Sequence, residues 1–214
     1  MEESPRLTRR RLLELGVALP VMAAACSRAG ESDEAARSTT SATAEGGTTL
    51  APTPACDDGD DPTPAQTEGP FFTPDSPERA SLLEPALEGT RLLLLGAVVA
   101  ADCKPVAGAL LDFWHADASG EYDNDGYRLR GHQFADERGG YRLATIVPGR
   151  YTGRTRHIHV KVQAPHNAVL TTQLYFPGEP DNEADGLFDP ALVVSLRETP
   201  DGQTARFRFV LDLA

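Results

Sequence analysis

From residue 90 onward the chain divides into short stretches where apolar residues run together or alternate with polar ones. Clusters of Gly, Pro, Asn and Asp separate them. Residues 92–99 and 109–115 are apolar runs, the first with Gly96 inside it, and residues 141–147 and 169–176 follow. His157 to Gln163 alternates: Ile158, Val160 and Val162 take one face, and His157, His159 and Lys161 take the other, with the period of two that marks a strand. Residues 206–213 alternate as well, with Phe207, Phe209, Leu211 and Leu213 on one side. Few stretches show a helical period. Several short strands bounded by turn residues predict an all-β fold, an antiparallel β-sandwich. One short helix is expected upstream, where Ser76 would cap and Pro77 would occupy the first position.

The first quarter of the chain has no such pattern. Thr8-Arg9-Arg10-Arg11-Leu12-Leu13 resembles a twin-arginine export signal, and the apolar run at 15–25 is too short to span a bilayer. Ala23-Ala24-Ala25-Cys26 ends the run, either as a cleavage site or as a lipobox that gives Cys26 a lipid anchor. Residues 1–26 are thus read as an export signal, sending the protein outside the cell or to the outer face of the membrane. Residues 27–65 hold almost no large apolar side chain and cannot offset their ordering entropy, so a disordered linker is expected there. Its acidic, Pro-rich end at 57–66 should run extended over the domain, which spans 66–214. Export also bears on Cys56 and Cys103, which either form a disulfide or stay as free thiols. Neither lies in a C-x-x-C pair, so a zinc ribbon is unsupported. The net charge of −12 argues against a nucleic-acid partner.

Candidate chemistry concentrates at residues 148–160, where Tyr151, Arg154, His157 and His159 fall within nine residues. Strand alternation points both imidazoles the same way, with backbones about 7 Å apart, which suits two ligands of one metal ion. Imidazole suits zinc, copper, iron or nickel. A phenol ionises near neutral pH only beside a strong Lewis acid, so a tyrosine ligand favours ferric iron over zinc. Tyr122, in a loop after Gly120, can reach back to the sheet. Tyr127 and Tyr141 compete with it, but Tyr141 starts a strand and reads as core. His115, His132 and His166 read as structural or exposed. Two rival readings remain open. One is a metal-free sandwich binding module of the transthyretin or carbohydrate-binding type. The other is a zinc hydrolase using His157 and His159 with Asp112 or Asp117 as base. The acidic stretch 180–189 lacks EF-hand spacing and reads as a solvated loop.

The motifs P-V-A-G-A-x-x-D-F-W-H-A-D-x-x-G-x-Y, G-x-Y-R-L-A-T-I-V-P-G-x-Y, R-x-x-H-I-H-V and L-T-T-Q-L-Y-F occur in this order, after T-E-G-P-F-F. Together they resemble the intradiol ring-cleavage dioxygenases, over roughly residues 66–190. The chain is most similar to their short, exported, single-domain branch, without the helical N-terminal dimerisation region of catechol 1,2-dioxygenases. The resemblance implies a sandwich with long active-site loops and a non-heme Fe(III) ion held by Tyr122, Tyr151, His157 and His159. It implies that Arg154 stabilises charge on the substrate, that Gln173 orients Arg154 or a ligand, and that Pro70 lines the substrate mouth. The implied reaction joins O2 to a catechol and opens the ring between the hydroxylated carbons, giving a cis,cis-muconate-type diacid. Thr155-Arg156 stands where the family often has Pro-Ala, so the family's substrate is not assumed. An oligomer is compatible with this reading.

Overall fold

The structure, a computed structural model, describes residues 61–213. The export signal with Cys26, most of the linker and Cys56 lie outside the described residues. Within them the chain forms β1 (Arg91–Ala100), β2 (Leu110–Trp114), β3 (Arg130–Phe134), β4 (Gly140–Ile146), β5 (His157–Gln163), β6 (Val169–Tyr175), β7 (Ser195–Thr199) and β8 (Gly202–Leu211), with a 3₁₀ turn at Pro190–Leu192. The strands make two four-stranded sheets, ordered β4-β1-β8-β7 and β3-β2-β5-β6. The all-β sandwich is borne out. One pairing departs from the antiparallel expectation: β1 and β8 run parallel. β8 is fed by its hairpin with β7, so it enters beside β1 in the same direction, across a long connection rather than a turn.

The core lies between the sheets. Leu92, Leu94 and Phe209 from one sheet meet Leu111, Phe113, Ile158, Val160, Val162 and Leu174 from the other, all buried. This inner row fixes the register of β5. A slip of one residue would bring His157 and His159 into the core and turn Ile158, Val160 and Val162 outward. Each of these apolar side chains contributes about 1.5–3 kcal/mol by burial, so the slip is strongly disfavoured.

The helix expected at Ser76 does not form. Its backbone is drawn to β3 instead: Arg79 N–H donates to the His132 carbonyl at 2.8 Å, and His132 N–H to the Pro77 carbonyl at 3.1 Å. The Ser76 hydroxyl donates to Asp112 at 2.7 Å rather than capping a helix. Thr63 and Pro64, read as linker, are docked. Thr63 exchanges hydrogen bonds with Val210 of β8 at 2.9 and 2.8 Å. The Pro64 carbonyl accepts from Thr172 of β6 at 2.7 Å, and Gln66 N–H donates to Thr171 at 2.8 Å. This segment ties one strand of each sheet and delivers residues 67–72 onto the outer face of the second sheet.

Candidate metal centre

That outer face receives the polar side chains that alternation sends there. Cross-strand register puts Arg130 of β3 opposite Trp114 of β2, Trp114 opposite His159 of β5, and His159 opposite Gln173 of β6. One transverse row thus crosses all four strands. In the neighbouring row His157 faces Tyr175. Trp114, Arg130, His157, His159 and Gln173 are all buried, because residues 67–72 and the loops roof the face. Gly69 lies above His159, where an added Cβ would stand 3.4 Å from the imidazole Cε1. Pro70 is exposed at the turn beside it. Phe72 packs edge-on to Trp114, and the Lys161 ammonium lies 3.5 Å from the centroid of the Phe72 ring.

Three donor atoms converge. His157 Nε2 lies 3.2 Å from His159 Nε2 and 3.2 Å from the Tyr122 hydroxyl. His157 Nδ1–H donates to the Thr155 carbonyl at 2.7 Å, which leaves Nε2 as a bare lone pair aimed into the cluster. His159 lies flat on Trp114, rings 4.8 Å apart and 6° from parallel. Its Nδ1 is buried without a hydrogen-bond partner, so the ring's polar contact is at Nε2, inside the cluster. Burial keeps both rings neutral, lowering His157 to about 4 and His159 well below its ordinary value. Neutral imidazole is the ligating form.

The tyrosines come from two loops. Gly120, at φ +92°, and Gly149 let these loops touch through backbone. A Cβ on Gly120 would lie 2.2 Å from the Arg150 carbonyl, and one on Gly149 would lie 2.4 Å from Gly120 N. Asp117 shapes the first loop by accepting from Ser119 N–H and Glu121 N–H at 2.9 and 3.1 Å. Tyr122 stacks on Phe71 at 4.4 Å. Tyr151 meets Phe71 edge-on at 5.1 Å and Tyr122 at 5.9 Å. Tyr151 is 36% exposed, at the rim of the cluster. Burial drives the Tyr122 phenol well above its ordinary range, against a weaker downward pull from Arg154 and Arg130. Only a cation at the cluster would make its phenolate the stable form.

Arg154 is fixed from several sides. Its Nε donates to both Asp185 oxygens at 3.0 and 2.8 Å, and Nη2 donates to Gln173 Oε1 at 2.7 Å. Gln173 Nε2 donates to the Thr67 carbonyl at 3.0 Å. The Tyr175 hydroxyl donates to the Leu187 carbonyl at 2.7 Å and lies 3.4 Å from Arg154 Nη2. Burial pushes the Asp185 carboxyl up, but the Leu187 amide, Arg154 and the Thr155 amide hold it below the usual range. The stretch 180–189 is therefore not simply a solvated loop, since its own Asn182 and Asp185 are buried. Arg156, the departure from the family pattern, turns to Glu179 at 3.1 Å and the Pro148 carbonyl at 3.4 Å.

Sequence reasoning missed Arg130, Trp114 and Asp185. Arg130 is 1% exposed and joins two segments: Nε and Nη2 donate to the Asp123 carbonyl at 3.0 and 2.6 Å, and Nη1 to the Phe71 carbonyl at 2.6 Å. It thereby clamps the Tyr122–Phe71 stack. The alternation of β2 was the one available signal for Trp114, and β3 carries none for Arg130. For Asp185 there was none. His115 is structural as expected, bonded to Ala116 O and Thr145 Oγ1, both at 2.7 Å.

Among the described residues no group of three or more His, Cys, Asp or Glu could hold a metal ion. The set that gathers is instead two neutral imidazoles with a phenol, and a second phenol at the rim. Spacings of 3.2 Å between bare donors suit adjacent ligands of one ion, and the aromatic oxygen suits a hard, trivalent one. The residues fit iron. The carboxylates of the zinc-hydrolase reading are spent elsewhere, Asp112 on Ser76 and Asp117 on its own loop.

Comparison with known proteins agrees in family. Residues 67–213 match the family model described as Dioxygenase. A chlorocatechol 1,2-dioxygenase of Pseudomonas sp. strain P51 is 30% identical over 174 residues, 69% of either chain. A catechol 1,2-dioxygenase of Pseudomonas sp. strain EST1001 is 29% identical, and the match covers 59% of this chain and 51% of that one. The solved dioxygenase domain of a dioxygenase carbohydrate-binding protein fusion from Streptomyces sp. SirexAA-E is 57% identical, with a TM-score of 0.71, over 72% of this chain and all of that one. A family model spanning most of the chain, on a sandwich whose outer face collects these donors, leaves one assignment: the protein belongs to the intradiol ring-cleavage dioxygenases and is an oxidoreductase of that class.

Proposed function

We propose that the protein binds one non-heme Fe(III) through Tyr122, Tyr151, His157 and His159 and uses O2 to cleave a catechol between its two hydroxylated carbons. The observation that carries this reading is the convergence of two neutral imidazoles and the Tyr122 hydroxyl at 3.2 Å spacings in a buried site. Iron, when bound, supplies the electronic coupling between a chelated catecholate and O2. The chain's own residues do the rest. Tyr122, held by Phe71 and Arg130, stays in place. Tyr151 stands at the rim, and as a phenolate ligand of bound iron it would be the group placed to take a substrate proton at its oxygen. Arg154, fixed by Asp185 and Gln173, stabilises negative charge developing on the ring. Residues 69–72 and Trp114 exclude water from the imidazoles. The export signal is proposed to carry this chemistry out of the cytoplasm, and the disulfide-bonded state of Cys103 fits an oxidising compartment.

The test is direct. Purified protein should contain about one iron per chain and show a broad visible tyrosinate-to-iron charge-transfer band. Oxygen uptake against a panel of catechols should yield ring-opened diacids carrying both oxygen atoms. A colourless protein with stoichiometric zinc and no oxygen uptake overturns the reading.

A further inference from the structure

We propose that the site takes catechols whose ring carries no carboxylate, and that Asp181 enforces this choice by occupying the outer guanidinium of the cavity that Tyr151 and Arg154 line. The proposal rests on the ring-cleavage reading above and names its substrate class. Tyr151 and Arg154 line a cavity of ≈ 390 Å³, within the roughly 300–1,000 Å³ of small-molecule sites. Its charged lining is Arg150, Arg154, Asp181 and Asp185. The four are already paired: Arg150 Nη1 with Asp181 at 2.6 Å, and Arg154 Nε with Asp185 at 2.8 Å. Behind them Arg156 is paired with Glu179 at 3.1 Å. Every arginine between residues 150 and 156 is thus matched by an acid of residues 179–185.

A ring carboxylate entering this cavity meets two carboxylates, and each guanidinium that lines it already carries one of them. It competes with Asp181 for Arg150 or with Asp185 for Arg154, and either competition lowers its affinity relative to an uncharged ring. Hydrogen, hydroxyl or halogen substituents incur no such penalty. The Arg150–Asp181 pair is the replaceable part, because both side chains are about half exposed, 51% and 45%. Arg154 is committed to Asp185 in the buried network and is not released by changes at Asp181.

The experiment compares catechol, hydroxyquinol and protocatechuate, the last being catechol with one ring carboxylate. Iron-loaded wild-type protein, Asp181→Asn and Glu183→Gln are assayed by oxygen uptake. Each diol is also titrated anaerobically against the fluorescence of the single tryptophan, Trp114, which stacks on His159. Wild type should favour catechol over protocatechuate at least about tenfold in kcat/KM and in affinity. Asp181→Asn should raise the protocatechuate-to-catechol ratio about two- to fivefold in both readouts, the range of one exposed ion pair. Glu183→Gln removes an equal charge from an exposed side chain of the same loop and should leave the ratio unchanged. Equal handling of protocatechuate by wild type, an unmoved ratio in Asp181→Asn, or an equal shift in Glu183→Gln overturns the proposal and leaves ring cleavage intact. Absence of binding and uptake with every diol overturns ring cleavage, and the charge preference with it.

Discussion

Arg130 shows how a buried cation can serve as a fastener. It bridges the Asp123 and Phe71 carbonyls, on either side of the Tyr122 stack, from beneath the roof of the site. Arg130→Met should lower unfolding free energy by about 1–3 kcal/mol, because the half-buried Asp123 and Phe71 carbonyls lose their donors. Arg130→Lys keeps the charge but not the planar fork, so it should recover only part of that loss. Urea unfolding of the apo-proteins measures both, and iron content after dialysis should fall in the same order. The site residues that were legible in the sequence, His157, His159 and Tyr151, owe it to their closeness along the chain, where alternation fixes their direction. Tyr122 and Gln173 needed family motifs. Arg130 and Asp185 act on residues brought near by cross-strand register or by a loop, and no local period records such a contact.

At the scale of elements, legibility followed the contrast between faces. β1 and β5 each show a clear apolar row and were read at nearly their observed limits. β3, Arg130-Gly131-His132-Gln133-Phe134, has polar residues on both faces because its outer face is buried under the site, so alternation is silent there. β7 is an edge strand with Leu196 as its one apolar residue. The helix expected at Ser76 failed because β3 offered its backbone groups better partners. The two tyrosine-bearing loops depend on close approach at Gly120. Gly120→Ala places a methyl 2.2 Å from the Arg150 carbonyl at φ +92° and should force the loops apart. Gly153→Ala, at φ +77° with nothing within 4 Å, isolates the backbone cost of about 1–2 kcal/mol. Gly120→Ala should exceed that cost in urea unfolding and lower iron content, whereas Gly153→Ala should retain its iron.

Over the whole molecule, the two sheets are joined across the core by a polar contact as well as by apolar packing. His115, just past β2, bonds Thr145 on β4. Its Nδ1–H donates to the Ala116 carbonyl, so Nε2 accepts from the Thr145 hydroxyl, and both partners fit the neutral ring. Burial holds its pKa down at about 4, below the ordinary 6.5. The unfolded chain therefore binds a proton between pH 6.5 and 4 that the folded chain does not, and stability must fall as pH drops through that window. The shift corresponds to about 3 kcal/mol at full development. The carboxylates held low, Asp117, Asp123 and Asp185, lose their contribution only below their unfolded value of 3.8. Asp112, raised by burial, opposes the histidine slope just above that value. Urea unfolding of the apo-protein from pH 8 to 4.5 should show constant stability down to about pH 6.5, then a decline to which His157 and His159, also lowered by burial, add. His115→Gln keeps the bond to Thr145 within reach but removes the titrating ring, so its decline should be shallower by close to one proton. An unchanged slope would mean that His115 is protonated in the folded state, and that the contact between sheets tolerates the charge.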